Sequence, residues 1–226
     1  MTTPTGLRTA GLRQAVTRVL PHMDTADVFR LDGLLLDYDG TSLFAVASDR
    51  YTLAVAAVTV HNSCESCEPW TVFLDGIEAR TLAEFLNRTG FHETVTIGPR
   101  PARYDDEVPT VRATSPHESI DLDTEEWEND LFCWRAIVRT HLAGPGAGPV
   151  LLNPELLDRW SILDQPASVR LPGEHGAVTI TAEHFLGLHM PIRLGSGYRG
   201  EELDWWRSVI DADRPHDDTD TARKAG

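Results

Sequence analysis

The feature that most constrains this chain is an order of elements that comes round three times: a strand, a helix, then several short strands. Residues 9–20, "TAGLRQAVTRVL", place Leu12, Ala15, Val16, Val19 and Leu20 at helical spacing. Arg13, Gln14, Thr17 and Arg18 form the polar side of that helix, and Pro21 ends it. Strand-like runs follow at 28–38, 42–49 and 51–60, and Asp39-Gly40 between the first two is a hairpin signal. The second round opens with the strand "WTVFLD". Its helix, "GIEARTLAEFLNRTG", is expected to turn Ile77, Leu82, Phe85 and Leu86 inward and to end at Gly90. The strands "ETVTIG", "PTVRAT" and "ESIDLD" complete it. The third round begins with the strand "PVLLN". Asn153 stands at the N-cap and Pro154 at the first position of the helix "PELLDRWSIL". "ASVRLPG", "GAVTITA" and "FLGLHMPIRL" are its strands. The helices start near residues 9, 77 and 153, so the repeat lies in element order and not in matching letters. Strands follow one another directly. The expected class is therefore α+β, with repeated strand–helix–strands units and antiparallel sheets.

Between the second and third units lies "TEEWENDLFCWRAIVRTHLAGPGAGP", an acidic turn, an apolar segment and a Gly/Pro linker. This places a domain boundary there, giving domains 1–128 and 129–195. A short amphipathic segment, "EELDWWRSVI", and a polar tail from Asp211, expected to be disordered, fill 196–226. No apolar run reaches the roughly 18 residues that cross a bilayer. The N-terminus has no signal-peptide core, and Cys64, Cys67 and Cys133 are too few for a disulfide scaffold. Together these point to a cytoplasmic protein. A net charge of −15 argues against nonspecific nucleic-acid binding by the whole surface, though not against a local basic patch. Apart from Lys224, every strongly basic residue is an arginine.

"LLLDYDGTS" resembles the first motif of the haloacid-dehalogenase phosphatases. The resemblance implies Asp37 as nucleophile and Asp39 as proton donor and acceptor, with magnesium. That motif belongs at the end of a central parallel strand, whereas here hairpins follow at once. The further acidic pairs, Asp105-Asp106 and Asp217-Asp218, fall in a loop and in the tail. An Asp-Gly turn accounts for the same residues without any chemistry. "HNSCESC" offers His61, Cys64 and Cys67, with Cys133 as a fourth ligand from elsewhere, but a single Cys-x-x-Cys also reads as a polar loop. No cofactor or metal is expected.

The stretch "LFAVASDRYTLAV" resembles the central domain of the bacterial sliding clamp family, the beta subunit of DNA polymerase III. Three further patches are similar to that family, in its order. They are "RVLPHMDTADVFRLDGLLLDYDG" upstream, then "LFCWRAIV" and "HMPIRL" downstream. The resemblance implies a DNA-clamp fold and no enzymatic activity. It implies partner peptides of polymerases or other replication and repair proteins docking in an apolar cleft. By position its lining is Leu31, Ser48, Arg50, Tyr51, Leu53, Ile137, Met190, Pro191, Ile192, Arg193 and Leu194. It also implies helices facing double-stranded DNA, here through Arg13, Arg18, Arg80, Arg88 and Arg159. The sequence departs from the family: Gly-His-Arg is replaced by Arg50-Tyr51-Thr52, and a second Arg by Ala136. The family's first domain and half of its last have no counterpart. A ring would then require homo-oligomers, and three units per chain tile a twelve-unit ring as a tetramer. A ringless regulator that keeps only the cleft is the alternative. Trp205 and Trp206 follow the cleft strand, where they would cover the cleft, cover a sheet edge or pack on their own domain.

Overall fold

The computed structural model describes residues 5–24, 31–60, 68–100, 108–125, 133–142, 150, 152–171 and 176–192. The first unit is β1 (Thr5–Arg8), α1 (Thr9–Val19), β2 (Gly33–Tyr38), β3 (Ser42–Ser48) and β4 (Thr52–Thr59). The second repeats that order as β5 (Trp70–Asp75), α2 (Gly76–Arg88), β6 (Thr94–Arg100), β7 (Thr110–Thr114) and β8 (Ser119–Asp123). A connecting helix, α3 (Trp134–Leu142), leads to the third unit. That unit has α4 (Pro154–Leu157) continued by a 3-10 helix (Asp158–Ile162), then β9 (Ser168–Arg170), β10 (Val178–Ala182) and β11 (Phe185–His189).

The first two units complete each other. One sheet has the order β1-β6-β7-β8 and the other β5-β2-β3-β4-β11-β10-β9, with every strand pair antiparallel. Each unit thus lends its first strand to its neighbour's sheet: β1 pairs with β6, and β5 with β2. Exchanging equivalent strands gives the pair a local two-fold relation. The helices α1 and α2 lie between the sheets and against each other. Their inward stripes, Leu12, Ala15, Val16 and Val19 on one and Ala79, Leu82, Phe85 and Leu86 on the other, are buried with Leu34, Leu36, Val95, Ile97, Val111 and Leu122 of the strands. Each such large side chain contributes about 1.5–3 kcal/mol by leaving water. Asp75 caps α2 with its carboxylate, accepting the Ile77 and Glu78 N–H groups at 2.8 Å.

The seven-stranded sheet is covered on both faces. Along β3, Leu43, Ala45 and Ala47 point to the helical core, while Val46 and Phe44 point to a second apolar cluster on the other side. That second cluster joins Leu35, Leu53, Val55, Phe73, Ala177 and Leu188 under Trp134, Ile137 and Val138 of α3. Two buried faces explain why these strands read as near-continuous apolar runs and not as polar–apolar alternation. The chain up to Ile192 clusters as one compact unit, because the β4–β11 pairing carries the sheet from the first unit into the third. Among the described residues no helix is long and apolar enough to cross a membrane.

Three local expectations are corrected, and one segment gains a structure. Ile77 points out of α2 and is 67% exposed; Ala79 takes the inward place, being the residue in step with Leu82 and Phe85. The helix expected over 154–163 is one α-helical turn followed by 3-10 geometry. Val150 and Leu152 of "PVLLN" belong to no strand. The apolar stretch between the units contains α3, whose Trp134, Ile137 and Val138 form a helical stripe on the sheet.

Within the third unit one ring ties the helical segment to the sheet. Trp160 lies over Gly187, where a Cβ would stand 2.2 Å from the indole, and meets Phe185 edge-on at 6.2 Å. Only glycine at that strand position lets the indole reach the sheet.

Candidate functional site

The loop between β3 and β4 is built by a single carboxylate. Asp49 Oδ1 accepts the N–H groups of Tyr51 (3.0 Å) and Thr52 (2.6 Å) and the Thr52 hydroxyl (2.9 Å). Ser48 Oγ donates to the Thr52 carbonyl at 2.8 Å and accepts the Arg50 N–H at 3.2 Å. Arg50 sits at φ 75, a left-handed conformation costing roughly 1–2 kcal/mol for a residue with a Cβ. The turn is held over-determined and turns Tyr51, 56% exposed, to the surface.

The same device occurs ten residues earlier. Asp39 Oδ1 accepts the Thr41 and Ser42 N–H groups at 2.9 Å and the Thr41 hydroxyl at 2.8 Å, around Gly40 at φ 99. Partial burial raises the Asp39 pKa, but these hydrogen bonds outweigh it and hold the group below the usual carboxylate range. The Asp-Gly-Thr-Ser and Asp-Arg-Tyr-Thr sequences are thus two copies of one Asp-capped hairpin turn. The phosphatase reading is overturned by this geometry. β2 runs antiparallel to both its neighbours, and Asp37 is committed to α3. Its Oδ2 accepts from Trp134 Nε1 (2.9 Å) and from Arg135 Nε and Nη2 (3.2 and 3.0 Å). Both carboxylates carry structural hydrogen bonds, one to a helix and one to a turn.

Tyr51 and Met190 lie side by side: the Met190 N–H donates to the Tyr51 carbonyl at 2.8 Å, just past the Thr52–His189 and Leu53–Leu188 register pairs. Leu53, Ile137 and Met190 share the outer apolar cluster, with Leu53 buried and the other two partly so. Beyond them Tyr51 and Ile192 are exposed and Pro191 is half-buried. The structure thus joins Leu53, Ile137 and Met190 in one cluster and sets Tyr51 beside Met190; Ser48 and Arg50 belong to the same β3–β4 turn as Tyr51, and Pro191 and Ile192 follow Met190 in the chain. Leu31 is half-buried at the foot of β2, where its carbonyl accepts the Asp24 N–H, and it is not part of that cluster. Arg193, Leu194, the His61–Cys64–Cys67 loop and Trp205-Trp206 lie outside the described residues.

Beneath the Tyr51 turn is a polar layer that sequence reasoning missed. Arg159 Nη1 of the third unit contacts Asp49 Oδ2 at 2.5 Å and donates to Thr52 Oγ1 at 3.0 Å. Trp160 Nε1 donates to His189 Nδ1 at 3.0 Å, and its ring lies 4.3 Å from the fully buried ring of His22. Burial, helped by the Arg159 and His189 charges and opposed by Asp49, pushes the His22 pKa from 6.5 down to about 3. Burial lowers His189 too, with Asp49 opposing and Arg159 adding. The signal for this layer is spread over residues 22, 49, 159 and 189, with no common spacing.

Of the five arginines expected to face a phosphate backbone, three serve the fold instead. Arg18 is 4% exposed, pairs with Asp164 at 2.6 Å and donates to the Glu183 carbonyl. Arg13 donates to the carbonyls of Leu86 and Thr89 and so closes the end of α2. Arg159 pairs with Asp49, as above. Arg80 is exposed, and Arg88 makes a solvent-exposed 3.3 Å pair with Glu118.

No protein-family model matches the chain, and no curated protein aligns with it. Solved structures do match it. Against a DNA polymerase sliding clamp from Bacillus subtilis the TM-score is 0.63 at 15% identity, over 86% of this chain and 65% of that one. A DNA polymerase III beta subunit from Pseudomonas aeruginosa gives 0.64 at 13% over 89% and 68%. That from Thermotoga maritima gives 0.63 at 16% over 86% and 67%. At such identities the likeness shows the fold alone, which is that of the bacterial sliding clamps. The chain spans about two thirds of the length of the clamps it matches.

Proposed function

We propose that this chain is a clamp-like protein that binds short partner peptides where its central domain, 1–128, meets its partial last domain, 129–195. One observation supports this above the others: Tyr51 and Met190 adjoin across the β4–β11 pairing, over the apolar cluster that contains Leu53 and Ile137. An exposed aromatic beside a partly open aliphatic floor is what an extended peptide with one or two apolar anchors requires. The chemistry is recognition and not catalysis. The occupants are apolar-anchored segments of DNA polymerase or other replication and repair proteins. Fluorescence anisotropy with a labelled clamp-binding peptide tests the reading. Binding is expected, and Tyr51→Ala or Met190→Ala should weaken it by about 10-fold or more, as loss of an anchor worth ~1.4 kcal/mol does. Failure to bind near ~1 mM, or binding indifferent to both substitutions, refutes it.

A second reading concerns DNA. With the Arg13, Arg18 and Arg159 guanidiniums bonded to groups of the fold, the expected DNA-facing arginines without such a role are Arg80 and Arg88, in a chain of net charge −15. This favours a ringless regulator that occupies partner peptides over a tether encircling DNA. Retention on circular but not on linear DNA would decide for the ring instead.

A further inference from the structure

We propose that the third unit is half of a domain, and that the third unit of a second copy of this chain completes it, making the protein a two-fold dimer. This does not rest on the peptide-docking reading. It follows from what the first two units do for each other. In that pair each helix packs on its counterpart, and each first strand enters the other's sheet: four register pairs join β1 to β6, and six join β2 to β5. The third unit has the same helix-then-strands order but no such companion within the described residues.

The surface it leaves open is the one its relatives close. Leu12 and Ala79, the fourth residues of α1 and α2, are fully buried, whereas Leu157, the fourth residue of α4, is 42% exposed. On the 3-10 helix that follows and along β9, Ile162, Val169 (58%) and Leu171 are exposed as well. Strand β9 is the open edge of the seven-stranded sheet, so a partner strand there continues a sheet already formed. Val150 and Leu152 stand before α4, where β1 stands before α1 and β5 before α2, yet they pair with nothing as a strand. One surface therefore carries both a lone first-strand segment and a lone receiving edge. Such a surface is complementary to itself under a two-fold axis: the segment carrying Val150 and Leu152 in each copy meets the β9 edge of the other, and the two α4 helices meet between them.

Sedimentation of the full chain between ~1 and ~100 µM is expected to show the 25.0 kDa chain passing to twice that mass. Leu157→Asp combined with Val169→Asp should weaken association by about 10-fold or more while leaving peptide binding at Tyr51 unchanged. Hydrogen exchange of the unsubstituted protein gives a readout independent of the variant's folding: amides of residues 150–153 and 168–171 should exchange more slowly as concentration rises. A chain that stays monomeric throughout, a dimer that survives both substitutions, or exchange in those segments that ignores concentration overturns the proposal. Loss of peptide binding with the dimer intact counts against the peptide-docking reading alone.

Discussion

At the scale of single residues, two side chains decide whether the third unit stays on the first. Asp49 builds the β3–β4 turn with one oxygen and holds Arg159 with the other, its side chain 7% exposed. Asp49→Ala leaves a mostly buried guanidinium unpaired and the turn uncapped. It is expected to cost about 3 kcal/mol in urea unfolding and to lower affinity for a Tyr51-anchored peptide. Asp49→Asn keeps a turn acceptor and should lose less. His22 adds a pH dependence. Its native pKa is depressed to about 3 from 6.5, so the unfolded chain binds the proton more readily. Stability from this group is complete above about pH 6.5 and falls as pH drops towards 3. Between pH 7 and pH 5 the loss is about 2 kcal/mol. Unfolding curves of the wild-type protein and His22→Leu at those two pH values check it: the substitution should remove that share of the loss. An equal loss in both proteins would mean that the titrating group lies elsewhere.

At the scale of elements, the docking of α3 and of the 3-10 helix each hinges on one residue. Gly187→Ala places a methyl group where the Trp160 indole now lies and should cost about 1–3 kcal/mol through overpacking. Because only the third unit's contact is disturbed, a shift in tryptophan emission should accompany the stability loss. On the other face, Asp37 anchors α3 through Trp134 and Arg135, and Arg135 lies over both Phe44 and Trp134 at 4.7 and 4.4 Å. Asp37→Ala is expected to cost about 1–3 kcal/mol and to loosen α3, read as faster amide exchange over 134–142. A phosphatase nucleophile would instead lose activity without loosening a helix. The two Asp-capped turns also account for the ambiguity of the stretch 34–55. An Asp followed by small or hydroxylated residues is what a nucleophile motif and a hairpin turn both use. Only the direction of the next strand separates them.

At the scale of the whole molecule, the internal two-fold of units one and two is the template for how the third unit finds its companion. Oligomeric state is therefore the property that most separates a ring from a ringless peptide binder. The order of units, the Asp39-Gly40 hairpin, the Asn153 cap of α4 and the antiparallel class were legible in the chain, because each depends on neighbours within a few residues: apolar spacing, an Asn before a helix, an Asp-Gly in a turn. The adjacency of Tyr51 and Met190 was legible only through resemblance, since nothing local links residues 139 positions apart. The partners of Arg13, Arg18 and Arg159 were not legible, because a polar helix face looks the same whether it meets solvent or a neighbouring carbonyl or carboxylate. "PVLLN" has the composition of a strand but no sheet beside it in the described chain. By itself, then, the sequence determined the first two helices, the Asp39 hairpin and the order in which the three units come. Tertiary structure alone decided which strands are exchanged, which arginines are buried and which face is left open, because those outcomes depend on contacts between distant residues whose free energy no local pattern encodes.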